Sequence, residues 1–451
     1  MTARLLFQQT EERKQWGPFQ IKVRRIISVR KVRRILPWCI IIAALLLLLI
    51  FKDIEINKTS NLHVKRSVSR SLNTKTYNSD YSQSQLIINK WIHVKEDYYV
   101  YSAYWEYRKT PSFVRIIAIG PKKPINLTTF SCLLKYNNGS IKRSDINYKF
   151  IPEDHDKKHI SLFFYCKASD IPERVALTST KQNATHWIKV ALTEPVKGNE
   201  IWQSNIAVCV RPFFGEFPNN NLQLAEFIAY YQIMGVQHFT FYDYKAKNSI
   251  KLLLNASIDG GMPISLFPWN LPTDVRDAWD YGHLANIADC MYRYAKTHKY
   301  VVIVDIDELI LPQQNISLMD IIKTYNSSWS TLLFRNTFFS LDLPDDPEVK
   351  NATIPLTILK KTLHFTPMEP YLRTKGIVLP SKVEIPGIHF TWKSIDNSKT
   401  ITAEPTFAKL HHYRHRGNKE KPVIRDQTAW RYSDRILKSD PIKIWKNLTI
   451  S

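Results

Sequence analysis

Two aspartates one residue apart, Asp305 and Asp307, close the apolar run "YVVIV" (300–304) and are followed at once by Glu308. A strand of that composition is buried on both faces. Its carboxyl end opens at the edge of an α/β sheet, where such folds take their ligands. Side chains two apart in an extended chain point the same way, so both acids are expected on one face. Carboxylates that share a site repel, and the arrangement is stable mainly with a cation or proton between them. Oxygen ligation suits Mn2+ or Mg2+, ions that usually keep positions for substrate phosphates. The spacing therefore predicts a metal platform that holds a diphosphate. The plain alternative is a strand that ends in solvated acids.

The elements that must position this pair follow from periodicity. The strand-like run Ile206 to Val210 is followed by a helical stretch in which Leu224, Ile228 and Tyr231 share a face, with Gly235 as its stop. The strand "HFTFYDY" completes a β-α-β unit. A second helix, 283–297, sets Leu284, Ile287, Ala288 and Met291 on one face and runs into the acidic strand. Residues 201–451 are thus expected to form an α/β domain. Ahead of them, "YYVYSAYWEY", "VRIIAIG", "FSCLLKY", "INYKFIP" and "SLFFYC" predict a smaller β-rich domain over 91–200. Past residue 330, "TLLFRNTFFSL", "ATIPLTILK" and "GIVLP" read as irregular strand-like pieces.

The chain has 451 residues, 44% of them hydrophobic, enough for two or three domains. Ile35 to Phe51 is uncharged and apolar, and as a helix it would span roughly 25 Å at ~1.5 Å per residue, near the lower limit for crossing a bilayer. The tail 1–34 carries a net +8, and basic flanks stay cytoplasmic, so everything after the span is expected across the membrane. Residues 52–90, polar and without Gly or Pro, read as a stem. All nine N-x-[ST] sequons (Asn57, Asn126, Asn138, Asn183, Asn255, Asn315, Asn326, Asn351 and Asn447) follow the span, as a lumenal chain requires. Cys132, Cys166, Cys209 and Cys290 would then be oxidised. They allow three pairings; the strand-like settings of Cys132 and Cys166 favour that pair, with Cys209 and Cys290 as the other. No CxxC occurs, which argues against a structural zinc site. The formal charge of +23 tempts a nucleic-acid reading, but no arginine-rich helix or RNA-binding signature supports one.

Seven stretches carry a further signal: "VYSAYWEYR" (100–108), "IAVCVRPFFGEF" (206–217), "LAEFIAYYQIMGVQHFTFYDY" (224–244), "ANIADCMYRY" (285–294), "VVIVDIDELILP" (301–312), "KGIVLPSKV" (375–383) with "GIHF" after it, and "HHYRHR" (411–416). In this order they resemble glycosyltransferase family 92, whose members include lumenal galactosyltransferases. The resemblance implies a GT-A fold with a Rossmann-like sheet, Asp305 and Asp307 as metal-binding acids, UDP-galactose as donor, and inversion at the anomeric carbon. It also implies a single-pass Golgi membrane protein that meets a nucleotide-sugar and a glycan acceptor; a homodimer is a further expectation. "DELIL" and "FRNTFF" depart from the family pattern, where a Phe and an Arg-Trp pair are usual.

Other matched positions acquire roles from their chemistry. Asp243, at a strand end, can accept hydrogen bonds from base or ribose, or cap a turn. His412 offers a neutral imidazole to the metal, and Arg414 a permanent charge to a phosphate. Lys375 and Lys382 could face the diphosphate. The general base is not identified by the sequence; Glu369, Glu384, Glu404 and Asp426 are its candidates. Two rivals remain. One is a non-catalytic glycan-binding protein of the same fold. The other is an Asp-based phosphatase, for which Asp305 would be nucleophile and "LPDDPE" (343–348) the second acidic motif.

Overall fold

The computed structural model describes residues 90–180, 184, 186–194, 204–214, 221–325, 328–349, 353–416 and 423–450. The expected tail, the anchor 35–51 and all but the last residue of the stem lie outside the described residues. Among the described residues no helix is long and apolar enough to cross a membrane.

Aromatic and β-branched runs ahead of residue 193 form β1 (Ile92–Lys95), β2 (Tyr98–Glu106), β3 (Phe113–Pro121), β4 (Phe130–Lys135), β5 (Ile141–Ser144), β6 (Ile146–Phe150), β7 (His159–Lys167), β8 (Arg174–Ser179) and β9 (Ile188–Leu192). They make one sheet in the order β5-β4-β8-β9-β2-β3-β7-β6, with β1 added on β2. β5 escapes sequence reading because its residues, "IKRS", lie at a solvated edge and carry no apolar period.

The second region alternates β10 (Ser204–Cys209), α1 (Asn221–Ile233), β11 (His238–Asp243), α2 (Asn248–Asp259), β12 (Ile264–Pro268), α3 (Trp279–Tyr294) and β13 (His298–Ile303). Its strands run parallel as β12-β11-β10-β13. The chain leaves β10 on one side and returns to β13 on the other. The crevice beyond the carboxyl ends of β10 and β13 is therefore a topological switch point, where open α/β sheets bind ligands. Gly235 ends the α1 segment at φ +92, a conformation that glycine adopts without strain.

After β13 come β14 (Glu308–Pro312), α4 (Leu318–Thr324), β15 (Trp329–Phe334), β16 (Asn336–Ser340), α5 (Thr357–Lys360), β17 (Leu363–His364), β18 (Lys375–Val378), β19 (Val383–Ile385), β20 (Lys393–Ser394), β21 (Lys399–Thr402), β22 (Ala408–Arg414), β23 (Ile424–Arg425), α6 (Ser433–Leu437) and α7 (Asp440–Ile450). β18 extends the parallel sheet antiparallel to β13, followed by β15 and β21. A further sheet has the order β14-β22-β16-β17-β23. "TLLFRNTFFSL" thus splits at Arg335 between two sheets, and "TILK" is a helical turn rather than a strand.

The core explains the apolar strand before the acids. Val301 and Ile303 pack with α3 and with Tyr104 and Ile119 of the β-rich sheet, while Val302 and Val304 pack with α1 and α2 on the other face. Each such side chain contributes about 1.5–3 kcal/mol over leaving it exposed. The sheet is covered on both sides, so the polar chemistry is left to its carboxyl edge.

Candidate active site

Asp305 and Asp307 emerge at that edge, but the chain between them is not extended. β13 ends at Ile303, a turn follows in which the Glu308 amide donates to the Asp305 carbonyl at 3.1 Å, and β14 begins at Glu308 in a different sheet. The expected pleat is replaced because the chain must change sheets here. Glu308 is thereby drawn inside and is only 1% exposed.

The acids are balanced by cations from distant segments. Lys375, at the start of β18, sets its Nζ 2.9 Å from Asp305 Oδ2 and 3.3 Å from Glu308 Oε2. The Asp305 amide donates to Glu308 Oε2 at 2.8 Å. His412, the register partner of Glu308 on β22, lies with Nε2 3.4 Å from Asp307 Oδ2 and Nδ1 3.4 Å from Glu308 Oε1. Asn336 Nδ2 is 3.1 Å from His412 Nδ1 and also donates to the Arg373 carbonyl at 3.1 Å. Asp305 Oδ1 is buried without a hydrogen-bond partner. A buried, unsatisfied carboxylate oxygen is costly and calls for an ion or water.

Burial pushes the Asp305 carboxyl up, but Lys375, Arg211 and His283 outweigh it and hold it well below the usual carboxylate range. Burial, joined by the charges of Asp305 and Asp307, lifts Glu308 above the ordinary glutamate value against the pull of Lys375 and His412. His412 is raised because Asp307 and Glu308 overcome the penalty of its own burial.

Arg211, just past β10, forms the opposite wall of the crevice. Its Nη1 lies 3.3 Å from Asp280 Oδ2, and Asp280 also meets His283 Nδ1 at 3.2 Å. Asp280, Tyr281 and Gly282 adopt φ of 48°, 57° and 77° at the start of α3. Left-handed non-glycine residues cost about 1–3 kcal/mol each and cluster where function fixes the backbone. At Gly282 an added Cβ would fall 2.7 Å from Ile119 Cδ1, so the β-rich sheet closes on this turn. Arg211, Asp280, His283 and Asn336 were not singled out by the sequence, and Glu308 was noted only as the acid after Asp307, with no role assigned. The available signals were the acid directly after Asp307 and the lone charge between Val210 and Pro212.

The remaining sequence candidates disperse. Lys375 faces two buried acids, Asp305 and Glu308, and neutralises them. Lys382 lies past Val378, the end of β18 remote from Lys375, because β18 runs antiparallel to β13. Glu384 follows on β19 and is held by Lys109 at 2.6 Å and Lys393 at 3.0 Å. Glu404 follows β21, three strand spacings or roughly 14 Å across the sheet from β13. Asp426 pairs with Lys409 at 2.6 Å; Lys409 and His412 point to opposite faces of β22. Glu369 stands apart. It is exposed, and its neighbour Met368 donates its amide to the carbonyl of Asn336, the residue that touches His412. Asp243 is on the carboxyl edge, where it accepts the Ala246 amide at 2.9 Å and meets Lys251 at 2.9 Å, as a turn aspartate does. Arg414 lines a cleft with Arg373 and Arg416. In "LPDDPE", Asp345 is paired with Lys360 and Lys361, and Asp346 with Arg425, so the second motif of a phosphatase is occupied elsewhere. Both disulfides, Cys132–Cys166 and Cys209–Cys290, match the favoured pairing.

Among solved structures, the bifunctional glycosyltransferase WbbM matches at TM-score 0.28 and 8% identity, over 61% of this chain and 56% of its own. Glucosyl-3-phosphoglycerate synthase of Mycobacterium tuberculosis matches at 0.23 and 9%, over 54% and 80%. Similarity that slight supports no conclusion about chemistry. Two curated glycosyltransferase family 92 proteins are closer in sequence. One from Caenorhabditis elegans is 24% identical over 221 residues, 47% of this chain and 42% of the relative. One from Oryza sativa subsp. japonica is 24% identical over 159 residues, 35% of this chain and 25% of the relative. The chain thus spans less than half the length of either relative. The sequence model of glycosyltransferase family 92 matches residues 204–446, over half of the chain and the whole stretch from β10 through most of α7. The chain belongs to glycosyltransferase family 92.

Proposed function

We propose that this chain is a metal-dependent, inverting glycosyltransferase of GT-A type that transfers a hexose, galactose from UDP-galactose, to a glycan hydroxyl. The observation that carries this reading is the acid pair at the switch-point crevice, with Asp305 Oδ1 buried and unsatisfied and Asp307 beside His412.

The donor set fits a shared ion. Among the described residues no three His, Cys, Asp or Glu side chains are arranged to hold a metal by themselves. Mg2+-like ions are commonly held by one or two carboxylates together with substrate phosphates. Asp305, Asp307 and His412 would hold Mn2+ or Mg2+ jointly with a diphosphate. Bound there, the ion would supply Lewis-acid stabilisation of the charge that develops on the UDP leaving group.

The chain's own residues do the rest. Lys375 keeps Asp305 ionised and fixed, Asn336 orients the His412 ring, and Asp243 would bound the nucleoside on the same edge. Glu369 is the base best placed by exposure and neighbours to take the acceptor proton. The acceptor oxygen bonds to the anomeric carbon as the bond to UDP breaks, the electron pair leaves with UDP, and the product is β-linked. The reading extends to a single-pass Golgi membrane protein with a lumenal head, supported by two disulfides of the kind that persist in oxidising compartments.

The test is Asp307→Asn in the purified full-length chain, assayed for UDP-galactose turnover with Mn2+ and with EDTA. Removing one electrostatic group of this kind typically costs on the order of 10²–10³ in rate. A loss of that size with the melting temperature unchanged supports the assignment; turnover equal to the parent overturns it.

A further inference from the structure

An open cleft of about 410 Å³ is lined by Phe338, Asp342, Arg373, Arg414, His415 and Arg416. It adjoins the acid pair. Phe338 is the register partner of His412, their rings are 4.8 Å apart, and the Arg416 guanidinium lies 4.3 Å from the other ring centroid, that of Phe338. Arg373 follows the loop that carries Glu369, and its carbonyl is held by Asn336.

Three guanidiniums converge on this cleft. Its one carboxylate among the described residues, Asp342, is engaged by His415 Nδ1 at 2.6 Å and by the Arg416 amide at 2.6 Å. Among the described residues no carboxylate lies within ion-pair distance of Arg373 or Arg414. Burial and the like charges of Arg414 and Arg416 depress the proton affinity of Arg373, as crowded, poorly compensated cations do.

The donor does not account for this charge. At the acid pair, Asp305, Asp307, Glu308 and Asp280 already face Lys375, Arg211, His412 and His283. A dication and a diphosphate bring opposite charges that largely cancel. The surplus of positive charge thus lies in the cleft that Arg373 lines, four residues beyond Glu369, the residue read above as the acceptor's base. Arginine forks match carboxylate, sulfate and phosphate oxygens two at a time, which favours a planar or tetrahedral anion over neutral hydroxyls.

We propose that this cleft is the acceptor subsite and that it selects a glycan carrying an anionic substituent, a carboxylate, sulfate or phosphate ester, on or next to the accepting sugar. The proposal rests on the transferase reading above. Its test uses the purified full-length chain, UDP-galactose and Mn2+, with a panel of neutral oligosaccharides, each paired with its uronic or sialic acid, sulfated and phosphorylated counterparts. At least one anionic member should be used with a kcat/KM ten or more times that of its neutral partner, and the arm that responds identifies the substituent. Arg373→Ala and Arg416→Ala should each raise the KM for that acceptor tenfold or more while the Kd for UDP stays within twofold. Arg373→Lys, which keeps the charge and loses the fork, should fall between. Equal use of neutral partners, or arginine variants that weaken UDP binding instead, would overturn the acceptor assignment and give the cluster to the donor. Failure of the unsubstituted chain to bind UDP at all would remove the transferase reading, and this proposal with it.

Discussion

Of the four acids offered by the sequence as a base, Glu384 and Asp426 are neutralised by lysines at 2.6 Å, and Glu404 stands across the sheet from β13. A carboxylate already committed to an ammonium is a poor proton acceptor, because protonation would forfeit the ion pair. Glu369 is 80% exposed at the side chain, and its nearest cation is Arg335 at 3.9 Å. It can therefore turn towards a bound hydroxyl. General base catalysis is typically worth about 10²–10⁴ in rate. Glu369→Gln should lower kcat for transfer by a factor in that range, with the Kd for UDP unaltered in a direct titration. A variant that transfers at the parental rate would remove Glu369 from the mechanism, and one that loses UDP binding would make it a donor residue.

The elements that hold the site meet at Glu106, the last residue of β2. Its carboxylate accepts from Arg108 Nε at 2.7 Å and Nη2 at 2.6 Å, and from Arg115 Nη2 at 2.9 Å; Arg108 in turn donates to the Pro380 and Val383 carbonyls, just beyond β18. The β-rich sheet thereby grips the turn that follows the strand bearing Lys375. Burial raises the Glu106 carboxyl, but the two arginines prevail and bring it from 4.5 down to about 2. A lowered carboxylate contributes stability that is full above its unfolded pKa and is lost as pH falls through its folded one. The shift corresponds to about 3 kcal/mol at neutral pH. Glu106→Gln should lower the unfolding free energy by about that amount at pH 7, and the difference should shrink between about pH 4.5 and pH 2 in urea melts. A gap that does not change with pH would show that the pair is not what Glu106 supplies. These same elements mark how far the sequence could be read. Asp305 was visible because "YVVIV" must be buried and its end must not. Arg211 and Asp280 were not, since each reaches the crevice from a different strand or turn and carries no local period; Lys375 was visible as a candidate, but its pairing with Asp305 and Glu308 was not. The turn at Ile306 was hidden for a related reason: a sheet change is dictated by where β22 lies, not by the residues that bend.

At the scale of the molecule, covalent cross-links and surface chemistry bear on the same question of compartment. Cys132–Cys166 joins β4 to β7, which lie five places apart in sheet order, so the β-rich sheet curls around the core cluster that holds both cysteines. Cys209–Cys290 ties the end of β10 to α3 beneath the crevice. With separations of 34 and 81 residues, loop closure alone would make each worth about 4 kcal/mol, a contribution available only where thiols are oxidised. The sequons add a positional argument. Asn126 and Asn138 stand in exposed loops, and their carboxamide oxygens accept from the Thr128 and Ser140 hydroxyls at 2.7 Å, which leaves the acceptor amide facing solvent. At three others the sequon hydroxyl is spent on its own helix: Ser257 donates to the Leu253 carbonyl and is buried, Ser317 caps α4, and Thr449 donates to the Trp445 carbonyl. If the head is lumenal, Asn126 and Asn138 should be glycosylated in protein made by secretory cells. Peptide mass spectrometry after amidase treatment would read the converted asparagines, and Asn126→Gln with Asn138→Gln should each remove one glycan mass while both disulfides persist. Recovery of the full-length chain with Cys132, Cys166, Cys209 and Cys290 all free and no glycan would overturn a lumenal head, and with it a donor drawn from the lumenal pool.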